Sequence, residues 1–423
     1  MHFAYVIFTQ LWVFIFKLTA LFGHRKAVPF FNMRRRALYA DLTVYTNSNS
    51  VKWAWFHCAS LGEYEQAAPV IEAYIKLNPS TPILLTLFSP SAHTPLTTTR
   101  SPSWKRKGDL ITALPVDTPR SVKRFLESGS YQFKFFASAK YEVWPELIKQ
   151  LSKAYIPLYV FAAHVVPDSI FLKRNLIGRF LYRSWSSLSH VFTQDASSSE
   201  RLRNNGIPAT ETGDSRADRV LQIAHSTSIP RFLQKWKSNA TVLVAGSSWK
   251  EEESALSELF WFKGAKLILA PHDVSPANIT RILNLFSASG STPALLSEIS
   301  ESTPPSTSVI IVDTMGQLSS LYALADLSVV GGGYGAGIHN ILEPIAHKSA
   351  VITGPHVGRF READILSATS ALTLATTPGE LSSVVNEMLK SENKSSTLLA
   401  GVEAHQWLLT QSGASEKIAK ALP

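Results

Sequence analysis

Cysteine is nearly absent from this chain: Cys58 is the single example in 423 residues. One thiol excludes a disulfide framework and a cysteine-based zinc cluster, and it suits a reducing compartment. Two phosphate signatures are missing as well. No register starting at Gly331, Gly332 or Gly333 gives G-x-G-x-x-G, which disfavours a nicotinamide oxidoreductase, and no Lys-Ser/Thr follows to make a P-loop. The apolar N-terminus lacks a small-residue A-x-A site, which argues against a cleaved signal peptide. No fixed-period repeat or sizeable low-complexity tract occurs.

What is present is length enough for two domains and a basic excess held in one half. The formal charge is +9, but residues 1–206 carry 25 Lys+Arg against 12 Asp+Glu, while the remainder is acidic, 16 against 20. Such asymmetry directs the first half towards an anionic partner: nucleic acid, a phospholipid surface or a phosphorylated substrate. Phe3 to Gly23 is apolar apart from threonine, Gln10 and Lys17, and Arg25, Lys26, Arg34, Arg35 and Arg36 follow it. That stretch can cross a bilayer or lie along its surface. Spanning, it would keep the rest of the chain cytoplasmic; lying flat, its basic neighbours would meet anionic headgroups. Lys173, Arg174, Arg179 and Arg183, interleaved with Leu172, Leu176, Ile177, Phe180 and Leu181, form a second basic amphipathic segment.

Behind the N-terminal stretch, apolar runs at 53–59, 82–88, 110–116, 133–138, 157–163 and 190–194 alternate with helical patterns such as Tyr64 to Leu77 and Trp144 to Tyr155. A second series of runs lies at 240–248, 265–273, 308–314, 325–333 and 349–355, after a stretch from Asn204 to Asn239 where the rhythm loosens. The polar 291–308 stretch reads as an exposed loop. Alternation of this kind predicts an α/β fold of two doubly wound parallel sheets. We divide the chain into an anchor at 1–30, a first domain at 31–215 and a second at 216–423.

In such sheets ligands gather at the C-terminal ends of strands. Ser60-Leu61-Gly62-Glu63 sits there after the first run, and reads both as a capping box and as a site for a general base at Glu63. Asp117 follows the third run, and Lys140, Glu142 and Trp144 follow the fourth. In the second half the strand ends carry Ser247 and Ser248, Pro271 and His272, and Asp313-Thr314-Met315-Gly316-Gln317-Leu318. The stretch Val329 to Pro344 reads as a buried strand, a loop of five glycines including Gly333, and a helix start. Glycines let a backbone approach a ligand closely, and a helix N-terminus favours an anion. Asn340-Ile341-Leu342-Glu343 repeats the cap-x-x-Glu spacing. A carboxylate there repels a bare phosphate but suits ribose hydroxyls, with Asn340 and the amides turned to the phosphate.

Taken in order, HCASLGEYEQAAPVI, KYEVWPELI, GDSRADRV, DTMGQLSSLYALADLSVVGGGYGAGIHNILEP and GPHVGRFREA resemble the bacterial 3-deoxy-D-manno-octulosonic acid (Kdo) transferases of lipopolysaccharide biosynthesis. The resemblance runs from the N-terminal stretch to about residue 365. It implies a GT-B fold, two Rossmann-like domains facing a cleft, and inverting transfer of Kdo from CMP-Kdo to a hydroxyl of the lipid A precursor (lipid IVA). Neither metal nor cofactor is implied, and the place of work would be the cytoplasmic side of the inner membrane, with no nucleic-acid partner. The family's general base falls on Glu63. Its CMP-contacting positions fall on Pro271 and His272, on Gly316, Gln317 and Leu318, and on Asn340, Ile341, Leu342 and Glu343. Positions that help the transition state fall near Lys140 to Glu142 and on Arg216. The chain departs from its relatives in four places: His272 stands where arginine is usual, Gln317 where glutamate is, Lys140-Tyr141-Glu142 where E-x-E is, and Arg216 where lysine is. Two other readings remain open from the residues: a membrane-associated GT-B transferase of UDP- or GDP-sugars, and a non-catalytic basic lipid-binding protein.

Overall fold

A computed structural model describes residues 1–37, 52–99, 101–128, 132–259, 264–301, 307–358 and 360–423. The Arg36 side chain, residues 302–306 of the 291–308 stretch and Arg359 of the GPHVGRFREA motif lie outside them. Two compact units result: Met1–Arg219 with Gln411–Pro423, and Val220–Thr410.

The first unit carries β1 (Trp53–Cys58), β2 (Ile83–Leu87), β3 (Leu110–Ala113), β4 (Phe133–Ala139), β5 (Leu158–Ala163), β6 (His190–Thr193) and β7 (Ala209–Glu211), ordered 3-2-1-4-5-6-7 and parallel throughout. Period-two alternation explains why β1 is buried along its whole length. Trp53 and Trp55 point into one core and Ala54, Phe56 and Cys58 into the other, as expected of a strand covered on both faces. Trp55 packs on Phe125, Phe133 and Phe136 with ring centroids 4.8–5.1 Å away, and its indole N–H donates to Thr86 Oγ1 at 2.8 Å.

The second unit carries β8 (Thr241–Ser248), β9 (Ala265–Pro271), β10 (Ala294–Leu295), β11 (Val309–Ile311), β12 (Leu327–Val330), β13 (Ala350–Thr353) and β14 (Leu372–Leu374), ordered 10-11-9-8-12-13-14 and again parallel. Both sheets reverse strand order beside their first strand, between β1 and β4 and between β8 and β12. These are the topological switch points where ligands bind in doubly wound folds.

The helices that matter below are α1 (His2–Leu21), α2 (Ala27–Ala37), α3 (Leu61–Leu77), α4 (Pro145–Lys153), α5 (Leu176–Trp185), α6 (Ser215–Ser226), α7 (Lys250–Ser257), α8 (Leu342–Ala346) and α9 (Ala414–Ala421). α1 is long and apolar enough to cross a membrane, with a mean hydropathy of 1.7. Its half-buried residues His2, Tyr5, Val6, Thr9, Val13, Phe16, Thr19 and Ala20 recur at helical spacing, so one face lies on the first unit for the length of the helix. Phe3, Phe8, Leu11, Phe14, Ile15, Leu18 and Leu21 are exposed on the other.

Three expectations need correction. The rhythm loosens less than expected between Asn204 and Asn239: β7 and α6 precede the short helical stretch expected there, which is the helix at Arg231–Lys237. The 291–308 stretch is not all loop, because β10 and a 3-10 turn at Leu296–Glu298 lie within it. The second domain does not run to residue 423. The chain leaves it at Thr410, and α9 packs Ile418, Ala419 and Leu422 against Ala67, Ala68 and Ile71 of α3. The seam is closed by Asp218, whose two carboxylate oxygens accept from the Gly413 and Ser415 amides at 2.6 and 2.7 Å.

Candidate active site

At the switch point of the first unit, β1 ends in Cys58 and the chain turns into α3 through Ser60. The Ser60 hydroxyl accepts from the Glu63 amide at 3.3 Å, as an N-cap should. The Glu63 carboxylate reaches back one residue further than a capping box requires and accepts from the Ala59 amide at 2.6 Å. Gly62, in the exposed first turn, would meet nothing within 4 Å if it carried a Cβ. Glycine in a helix costs about 0.5–1 kcal/mol relative to alanine, and the protein's own packing supplies no reason for it here.

β4 ends beside β1. Lys140, the next residue, has a φ of 60°, a left-handed conformation that a side chain with a Cβ adopts at a cost of about 1–3 kcal/mol. Its cation acts on Glu63 and favours the ionised carboxyl, as do the Ala59 and Ser60 contacts, but burial outweighs them and the Glu63 pKa is raised. Glu142 is pushed up to about 7, first by burial and then by the negative charge of Glu63. Trp144 opposes this weakly, although its indole N–H closes no hydrogen bond. The first switch point thus brings two carboxyls and a lysine within electrostatic reach of one another. Cys58 lies among them but is fully buried, with its pKa well above the thiol range. Arg216, at the start of α6, is held by Asp214: its Nε donates to Asp214 Oδ2 at 2.7 Å.

The acidic residue after β3 has a different occupation. Asp117 accepts from the Glu146 and Leu147 amides at 3.0 and 2.8 Å, and so caps α4 from 29 positions away.

The switch point of the second unit is built from β8, β9, β12 and the glycine loop. Ser247 has a φ of 52°, the counterpart of Lys140. A Cβ on Gly331 would lie 2.3 Å from the Ser247 carbonyl oxygen, one on Gly332 2.5 Å from Gly337 O, and one on Gly333 2.5 Å from the Gly354 nitrogen. Gly331 and Gly333 are therefore required by the close approach of neighbouring strand ends, and Gly332 by the fold of the loop back on itself. Gly335 is different, since a Cβ there would meet only Gly332 O at 3.9 Å. The Gly332 amide is committed to Glu252 Oε1 at 3.0 Å, while Glu252 Oε2 accepts from Trp249 N at 2.9 Å. Donors remain nonetheless: the Gly333, Asn340 and Ile341 amides donate to no protein acceptor among the described residues.

The helix that follows is only five residues long, so the macrodipole anticipated for an anion is small. Asn340 and Glu343 do not form the expected capping box. Asn340 Oδ1 accepts from the Leu342 amide at 3.1 Å, and Asn340 Nδ2 donates to Glu343 Oε1 at 3.1 Å. Ser319 Oγ donates to the other Glu343 oxygen, which leaves a carboxylate fixed in direction. Ile341 and Leu342 are buried beneath it.

Pro271 closes β9, and the next residue, His272, stacks on Trp249 at 4.5 Å and lies 4.8 Å from His339, whose Nε2 accepts from the Trp249 indole N–H at 3.4 Å. Burial and the neighbouring His272 lower the His339 pKa. Met315 is exposed, Gly316 has a φ of 88°, and the Gln317 side-chain Nε2 donates to Thr314 Oγ1 at 2.7 Å. Leu318 starts the short helix beyond, and Gly316 and Gln317 border a cavity of about 250 Å³ together with Ile229, Pro230, Leu296 and Ser320. Sequence reasoning missed Trp249, Glu252, Ser319 and His339. Trp249 and Glu252 stand directly after a strand end already recognised, which is the signal that would have found them.

The fold class these units define is GT-B. A glycosyltransferase from Rickettsia africae superposes with a TM-score of 0.56 at 13% identity, over 88% of this chain and 97% of that one. A putative UDP-N-acetylglucosamine 2-epimerase from Listeria monocytogenes gives 0.55 at 10%, over 88% and 94%. Both likenesses concern the fold alone. Within that class, residues 32–219 match the family described as 3-deoxy-D-manno-octulosonic-acid transferase (kdotransferase), a match that ends where the first unit hands over to the second. A 3-deoxy-D-manno-octulosonic acid transferase of Haemophilus influenzae is 27% identical over 381 residues, 86% of this chain and 85% of that protein. One of Bordetella pertussis is 27% identical over 338 residues, 75% of each. The chain is thus similar over most of its length to the Kdo transferases, which are glycosyltransferases.

Proposed function

We propose that this enzyme transfers Kdo from CMP-Kdo to a hydroxyl of the lipid A precursor, with inversion at the anomeric carbon. The observation that carries the reading is the pair of coupled carboxyls beside Lys140 at the first switch point. Likeness to the Kdo transferases supports the choice of sugar, and the pair supports the chemistry. Glu63 takes the acceptor proton as the hydroxyl oxygen bonds to the anomeric carbon, and the bond from that carbon to the phosphate oxygen breaks to release CMP. Lys140 and Arg216 offset negative charge in the transition state, and Glu142, near neutrality in its titration, holds or yields a proton beside them. Ser60 and Gly62 form the rim that the acceptor approaches.

The second unit takes the donor. The Gly333, Asn340 and Ile341 amides face the phosphate, Glu343 accepts from ribose hydroxyls, and Pro271, His272, Ser247 and the Met315–Leu318 turn line the nucleotide. No metal or cofactor takes part in this proposal. The acceptor is lipid-borne, and α1 with its basic neighbours seats the enzyme on the cytoplasmic face of the inner membrane. One face of α1 rests on the first unit along its whole length, which supports an interfacial helix over a spanning one.

Incubation with CMP-Kdo and the lipid A precursor, followed by mass spectrometry, tests this directly. Glu63→Gln keeps a polar group at the helix start and loses the base, so turnover should fall about 10²–10⁴-fold in a folded protein, while chelators leave the parent rate unchanged. Full turnover by Glu63→Gln overturns the base assignment, and transfer from UDP-sugars in preference to CMP-Kdo overturns the donor.

A further inference from the structure

Two routes lead from the N-terminal helices to the segment that carries Glu142. The first is polar. Tyr5 of α1 donates from its hydroxyl to Asp117 Oδ2 at 2.6 Å, and the same carboxylate accepts from the Glu146 and Leu147 amides that open α4. Asp117 is 6% exposed, so these contacts are sheltered from water. Glu142, Val143 and Trp144 lie immediately before α4, and their position follows from where its first turn is held.

The second route is aromatic. Phe16 and Trp12 of α1 meet Phe30 of α2 at 5.3 and 5.9 Å, and Phe30 meets Phe88 at 5.4 Å. Phe88 stacks on Trp144 at 4.7 Å with 28° between the rings. Arg34 locks this chain. Its guanidinium carbon sits 3.5 Å from the Phe30 centroid and 4.7 Å from that of Phe88, and its NH2 donates to the Phe88 carbonyl at 3.0 Å. The contacts made by Tyr5 and Phe16 are about 16 Å apart along the helix axis, at 1.5 Å per residue.

An anchor that only tethered the enzyme would need neither route. We propose that the α1–α2 hairpin is a positioning element of the active site: Tyr5 through Asp117, and Phe30 with Arg34 through Phe88 and Trp144, hold the Glu142 segment at the Glu63 carboxyl. Seating on lipid and catalytic geometry are then one cooperative arrangement, because whatever loads α1 bears on the start of α4. The proposal rests on the assignment of Glu142 to the site.

The test separates positioning from tethering by using a deacylated, water-soluble glucosamine disaccharide bisphosphate as acceptor, with no vesicles present. Tyr5→Phe removes one hydroxyl, and Phe30→Leu removes the ring beneath Arg34. Misplacement of a reacting group by about 1 Å can cost 10²-fold, so kcat should fall between tenfold and a hundredfold in each variant. KM for CMP-Kdo, and retention on phosphatidylethanolamine vesicles containing phosphatidylglycerol, should stay at parent values. Asp117→Asn, which keeps one acceptor for the α4 amides, should retain more activity than Asp117→Ala. Unchanged kcat in Tyr5→Phe and Phe30→Leu, alongside a large loss in Glu142→Gln, overturns the coupling and leaves the site assignment standing. Full activity in Glu142→Gln removes the site assignment, and the coupling with it.

Discussion

Glu142 and Glu63 are within electrostatic reach of one another, and the two charges resist each other. Glu142 titrates at about 7, above the ordinary carboxyl value of 4.5. A carboxyl raised by folding favours the folded state in its protonated form. Its contribution is complete below the unfolded value and is lost as pH rises through about 7. Glu63 is raised as well and contributes with the same sign. The urea midpoint of the parent enzyme should therefore drop on going from about pH 5 to about pH 8, and Glu142→Gln should flatten that drop. In Glu63→Gln the Glu142 carboxyl loses its charged neighbour, so the remaining drop should shrink and move to lower pH. Urea titrations of the three proteins across that range check both effects, and identical slopes would separate the two residues. The residue scale was the most legible in sequence where an ionisable side chain sits next to a strand end, as at Glu63 and Glu142. It was least legible where a partner is remote. Asp117 reads as one more strand-end carboxylate, and nothing in the string of letters points to an amide 29 residues on or a tyrosine 112 residues back.

Elements differ in how strongly they announce themselves. β1, β4, β8 and β9 are long enough for both faces to carry apolar residues, and they declare themselves as continuous apolar runs. β7, β10 and β14 have three residues or fewer, too short for a period to register. The glycine loop was visible, but its physical reason was not. Gly331 and Gly333 answer to the close approach of the ends of β8 and β13, and Gly332 to the loop's own turn, an accommodation made entirely within the protein. α5 is a mixed case. Its basic residues were evident, and the structure adds that Leu176 and Ile177 are exposed at 67% and 56%, on a helix that also packs Phe180 against Tyr5 of α1 at 5.4 Å. α1 and α5 therefore present exposed apolar residues and positive charge on neighbouring helices, a combination suited to an anionic lipid surface. Reversing Arg179 and Arg183 to glutamate should weaken retention on phosphatidylglycerol-containing vesicles by about 2 kcal/mol per reversed charge, twice the ~1 kcal/mol of a single basic residue. Added salt should shrink the difference between parent and variant. Vesicle sedimentation measures both, and equal retention of the two proteins would take α5 out of the membrane face.

At the scale of the whole molecule, two units are alike in strand order, and the sequence division differs from the structural one at the C-terminus. A linear reading assigns each residue to the domain whose strands it follows, and α9 follows those of the second unit while packing on the first. Ile418 is fully buried there. Ile418→Ala should cost about 2–5 kcal/mol, and hydrogen exchange should report that loss in β1 to β7 while protection of β8 to β14 stays at parent levels. Loss shared equally by both sheets would mean that the units unfold as one.

The same return of the chain sets an order on biosynthesis. A nascent polypeptide emerges N-terminus first, at about 5–20 residues per second. The unit begun first is completed late, because Ile418, Ala419 and Leu422 reach α3 only after they have themselves cleared the ribosomal tunnel. The second unit, continuous from Val220 to Thr410, has all of its strands available earlier. Throughout elongation, then, the exposed apolar face of α1 belongs to an unfinished unit, and the enzyme can meet lipid before its core has closed.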